Sequence, residues 1–107
     1  MKNATIHTRD VSWQELRAFP GTAQVKMLRD DPSGGARTML VRVPPAEQIV
    51  PHNHMAPVQH YVLEGEYETG GETFSAGTYR FLRADANVGP IATKGGVTIL
   101  MVYDPID

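Results

Sequence analysis

Along most of the chain, apolar and polar residues alternate in short runs broken by glycine and proline. The runs are AQVKML (23–28), RTMLVRV (37–43), QHYVLEGEY (59–67), TYRFL (78–82) and VTILMVY (97–103). A period of two puts one set of side chains on a buried face and the other in solvent, as in a half-buried strand. Between the runs stand FPG (19–21), DDPSGG (30–35), PPAEQ (44–48), ETGGE (68–72), SAG (75–77), VGP (88–90) and KGG (94–96). Turn signals at intervals of roughly 8–12 residues predict an antiparallel sandwich or barrel. The one helical candidate is SWQEL (12–16), where Ser12 would cap a single turn with Glu15 at the capping-box position. No repeat, low-complexity tract or linker interrupts the pattern, so residues 1–107 read as one all-β domain, with 1–20 as an arm packed on it.

Composition narrows the function classes. The 107 residues, 41% hydrophobic and 21% charged, are those of an ordinary globular domain. A formal net charge of −2 gives no basic footprint for nucleic acid or an anionic membrane. The absence of cysteine excludes disulfides, thiol catalysis and sulfur-ligated zinc. No stretch has the apolar length of a signal peptide or a membrane span, which predicts a soluble, cytoplasmic protein.

Three of the four histidines fall in PHNHMAPVQH, residues 51–60. In a strand, His52 and His54 share a face. After a loop at Met55-Ala56-Pro57, strand parity puts Val58, His60, Val62 and Glu64 on one side, and Gln59, Tyr61 and Leu63 on the other. With a tight turn, His60 would lie opposite His52, Cβ atoms about 4.5–5.5 Å apart. Three imidazoles would then converge on one centre.

The chain resembles the small single-domain cupins, in particular the ChrR-like and acetylacetone-dioxygenase-like members. The resemblance runs through LVRVPPAEQIVPHNH, YVLEGEYE, SAGTYRFL and GPIATKGGVTILMVYD, covering roughly residues 11–104. It implies a double-stranded β-helix, a jelly-roll barrel with a metal inside, commonly dimeric. His52 and His54 match the H-x-H of the first family motif, and Gly65 closes that motif. Ala46 stands where the motif opens with glycine, and Val58 or Gln59 stands where it has glutamate. In the second motif Gly77 fits, whereas Arg83, Asp85 and Val88 occupy the proline, glycine and histidine positions.

His52, His54 and His60 are therefore the expected ligands of a divalent transition metal, whether Fe, Zn, Ni, Cu or Mn. Gln59 joins them only if a bulge reverses its side. His60, Tyr61 and Arg83 are the catalytic candidates, Arg83 as a carboxylate-recognising fork at the pocket mouth. Against these stand plainer roles: histidines lining a pocket, Tyr61 and Tyr67 packing, Arg80 and Arg83 solvated. Asp85 and Asn87 share a loop that could meet the first motif; Met39, Met55 and Met101 fill gaps; Trp13 anchors the arm; His7 is a surface residue. The resemblance implies a metal-dependent, dioxygenase-like enzyme acting on a small dicarbonyl or hydroxyketone. The alternatives are a metal-free acid–base isomerase or lyase, and a non-enzymatic ligand or metal sensor. The expected partners are a small molecule and a second copy of the chain, with outward Tyr61 and Leu63 compatible with a homodimer.

Overall fold

The computed structural model describes residues 3–15, 23–50, 56–84 and 89–105. Among these residues nine strands follow a 3-10 turn at Thr8–Asp10: β1 (Gln14–Glu15), β2 (Gln24–Asp30), β3 (Arg37–Val43), β4 (Gln48–Ile49), β5 (Val58–Thr69), β6 (Glu72–Ser75), β7 (Tyr79–Leu82), β8 (Ile91–Ala92) and β9 (Val97–Tyr103). All pairings are antiparallel. The expected all-β barrel is present. Among the described residues no helix is long and apolar enough to cross a membrane.

β5 organises the barrel because it belongs to both of its walls. Its first part pairs with β9 and β7 in a wall that continues through β3 and β2 to β1. Its second part pairs with β6 and β8, and β8 pairs with β4. The interior fills with side chains from the apolar-in face of each run: Val41, Ile49, Val62, Tyr67, Ile91 and Ile99 are all 0% exposed. β3 and β9 show the clean alternation that the sequence carries.

The register holds an irregularity that decides where the polar groups go. Val62 faces Ile99 and Glu64 faces Thr98, so Leu63 is the extra residue of a bulge. A bulge shifts the alternation by one. Val58, His60 and Val62 are buried before it, and Tyr67 is buried after it. Glu64, which strict parity places beside His60, is exposed instead. Gly65 follows the bulge with φ of 76°, and a Cβ there would lie 1.9 Å from the Gly96 carbonyl oxygen. Only glycine permits this approach of two backbones.

One local expectation needs correction. Of SWQEL, residues 12–15 are described and form no helical turn: Gln14 and Glu15 pair with Val25 and Gln24 as β1, extending an existing sheet edge. The turn forms earlier, where His7 Nδ1 accepts from the Arg9 N–H at 3.2 Å, and His7 is otherwise a surface residue. Trp13 packs on the sheet. Its ring lies 4.1 Å from the Arg42 guanidinium carbon and 5.0 Å from Lys26 Nζ, on the outer face of β2 and β3. Ala46, at the position of the family glycine, has φ of 64°. That left-handed conformation costs a residue with a Cβ about 1–2 kcal/mol.

Candidate functional site

His60 is the one buried histidine among the described residues, 2% exposed, on the interior face of β5. Its cross-strand neighbours are Met101 on β9 and Arg80 on β7. Tyr67 reaches it from the same strand, seven positions on, with the phenol oxygen 3.0 Å from Nδ1 and the rings edge to face. An unbroken strand would put residues 60 and 67 on opposite faces. The bulge brings them together.

Arg80 completes the chain. Its Nη1 donates to the Tyr67 oxygen at 3.0 Å, and its guanidinium carbon stands 4.2 Å from the centre of the Phe74 ring. Phe74 faces Tyr67 across β5 and β6, ring centroids 5.4 Å apart. A buried phenol and imidazole are costly unless satisfied. Here every buried side-chain polar atom among the described residues has a partner. Burial pushes the Tyr67 phenol up from its ordinary pKa, and the neighbouring Arg80 charge opposes the rise. Tyr103, next along the interior face of β9 after Met101, is pushed up to about 12 by burial, and its hydroxyl donates to Met101 Sδ at 3.8 Å.

The other candidates separate by face. Gln59 lies opposite His60, with its amide oxygen accepting from the Tyr79 hydroxyl at 2.8 Å on the outer side. The bulge comes after Gln59 and does not reverse it. Tyr61 shares that outer face and is 41% exposed, so its phenol does not enter the interior with His60. Arg83 is exposed just past β7. Arg80, read from sequence as a solvated charge, is half-buried against Tyr67 and Phe74. Met39 and Met101 are buried gap-fillers, 2% and 1% exposed. His52, His54, Met55, Asp85, Asn87 and Val88 lie outside the described residues. Among the described residues no three His, Cys, Asp or Glu side chains cluster closely enough to hold a metal.

The ChrR cupin-like domain family matches residues 1–107 in full. The chain belongs to that family. Many solved structures share this cupin's barrel, three of them as follows. A Methylibium petroleiphilum protein proposed to be an acetylacetone dioxygenase is 22% identical with a TM-score of 0.85, covering 96% of this chain and 77% of its own. The acetylacetone dioxygenase of Acinetobacter johnsonii is 17% identical with a TM-score of 0.77, covering 97% and 74%. The anti-sigma protein ChrR of Rhodobacter sphaeroides, solved with SigE, is 24% identical with a TM-score of 0.73, covering 90% of this cupin and 50% of ChrR. At these identities the likeness is one of fold. No curated protein matches the sequence.

Proposed function

We propose that this cupin is a metal-dependent enzyme acting on a small organic molecule inside its barrel, with His52, His54 and His60 holding the metal. The observation that carries this reading is the setting of His60, buried and fixed through Nδ1 by the Tyr67 hydroxyl. A metal-bound histidine almost always hydrogen-bonds an oxygen through its other ring nitrogen. Tyr67 offers that oxygen, so His60 would bind through Nε2. Gln59, on the outer face, is left out of the proposed set. When bound, a divalent transition metal would supply Lewis acidity and a template for a chelating oxygen substrate. The chain's own part is to orient His60 through Tyr67, to hold Tyr67 through Arg80, and to line the surroundings with Val58, Val62 and Met101. The fold shared with an acetylacetone dioxygenase supports a dicarbonyl or hydroxyketone substrate and an oxygen-dependent cleavage.

Elemental analysis of protein purified without a metal-affinity step tests the reading. The expected result is a bound first-row metal that is lost in His52→Ala/His54→Ala and depleted in His60→Ala. Protein that holds no metal, and takes none up on dialysis against Fe, Zn, Ni, Cu or Mn, removes it.

A second reading follows from the hydrogens at Tyr67. A guanidinium only donates, so Tyr67 accepts from Arg80 and has one hydrogen of its own to give. Among the described residues its hydroxyl meets Arg80 and His60 Nδ1. Giving the hydrogen to Nδ1 leaves the neutral ring's proton on Nε2, the form suited to moving protons rather than to binding metal. This supports a metal-free isomerase or lyase with His60 as acid–base. Turnover that survives exhaustive chelation and disappears in His60→Ala selects this reading; turnover abolished by chelation and restored by metal selects the first.

A homodimer is proposed through the outer face of β5 and β7. Tyr61, Leu63, Tyr79 and Phe81 are exposed there by 41%, 42%, 55% and 57%.

A further inference from the structure

We propose that a pocket beside Arg80 binds a small organic monocarboxylate. The pocket lies between the β5–β6 hairpin and the Gly89–Pro90 segment, with a volume of about 340 Å³ and walls that include Thr69, Glu72, Phe74, Arg80 and Pro90. Small-molecule sites commonly have volumes of about 300–1,000 Å³. Arg80 is half-buried, and among the described residues its partners are the Tyr67 hydroxyl and the faces of Phe74 and Tyr67. Both residues are neutral. Among the described residues no carboxylate pairs with Arg80, and a half-buried cation so placed keeps much of its desolvation cost, which a carboxylate seated in the guanidinium fork would relieve. Cation–π contact with Phe74 offsets only part of that cost.

The rest of the lining restricts the ligand. Phe74 and Pro90 provide apolar surface for a compact, partly flat body. Glu72, exposed on β6, sets a negative charge at the rim and works against a second anionic group. A single carboxylate on an apolar body fits both. A larger cleft of about 470 Å³ also holds an arginine, Arg42, which Trp13 already covers. The Arg80 site requires neither a metal nor His52 and His54, so it stands or fails independently of the proposed catalysis. It does touch the same chain of groups: a carboxylate on Arg80 sits one hydrogen bond from Tyr67 and two from His60.

Calorimetric titration of the full chain with benzoate, its neutral isostere benzamide and the dianion phthalate tests the site. Benzoate is expected to bind saturably, and benzamide at least about tenfold more weakly, the worth of one hydrogen bond to a charged group. Phthalate should also be weaker than benzoate. Arg80→Met should abolish benzoate binding. Because that change also strips Tyr67 of a donor, Glu72→Gln serves as a second variant on an exposed position. It should tighten benzoate by about two- to fivefold, the range for a charge pair in solvent. Benzoate that fails to bind, that binds no better than benzamide, or whose affinity is unchanged in Glu72→Gln overturns the proposal.

Discussion

Two rows of side chains cross the same five strands, one on each face of the larger wall. Inside run Met27, Met39, Met101, His60 and Arg80; outside run Lys26, Leu40, Leu100, Tyr61 and Tyr79. The register is common to both, so any difference comes from composition alone. The inner row passes from soft apolar filler to two nitrogen-bearing groups that Tyr67 links. The outer row passes from a lysine beneath Trp13 to phenols open to solvent. Buried polar groups are tolerated only when they satisfy one another, and the inner row meets that demand with three residues. The outer row has no such demand and leaves its rings uncovered.

Substitutions can break or sharpen this contrast. The largest effect is expected from Gly65→Ala, because the bulge segment that turns Tyr67 inward cannot accept a Cβ against Gly96. Left-handed strain and overpacking together should cost about 2–5 kcal/mol in urea unfolding. Wild-type stability in that variant would show that the close approach is not required.

Next comes pH, read on Tyr103 beside Met101. Its folded pKa of about 12 lies above the ordinary value near 10, so its burial stabilises the fold below pH 10. That contribution is lost as pH rises toward 12, a fall of roughly 2–3 kcal/mol. The difference between wild type and Tyr103→Phe should narrow by that amount over the same window. Parallel curves would contradict it.

Tyr67→Phe should cost about 1–3 kcal/mol, since it takes the shared oxygen from His60 and Arg80. Any metal affinity or turnover should fall with it. If the fluorescence-monitored unfolding midpoint stays put, the linked trio is not holding the interior. The smallest effect belongs to the outer face. Tyr61→Ser with Phe81→Ser should change protomer stability by about 0.5 kcal/mol or less per site. Light scattering should nevertheless report monomer in place of dimer; an unchanged mass removes the proposed interface.

Much of the fold could be read from alternation and turn residues, because both faces of β3 and β9 are labelled residue by residue. His60 was legible for the same reason, sharing parity with Val58 and Val62. Tyr67 was not, since parity counted straight through 58–67 puts it with Gln59 and Tyr61. The signal was present in Gly65, a glycine inside a strand pattern, which often marks a bulge. Arg80 was hidden for a different reason. A charged residue in a short strand reads as solvated, and its inward setting depends on Phe74 and Tyr67, brought beside it by pairings that no local pattern encodes. SWQEL misled because a capping pattern is local, whereas Gln14 and Glu15 are taken up by an edge that β2 offers.

β5 is one 12-residue strand serving two walls, with His60 in one and Tyr67 in the other. Its side chains can be exchanged one at a time, but its length between those two residues cannot change. Removing or adding a single position there would rotate the phenol out of the barrel and strand the imidazole. An insertion at Gly70-Gly71, the two-residue turn of the hairpin beyond, would instead lengthen a loop. In this stretch the count of residues is under tighter constraint than their identity.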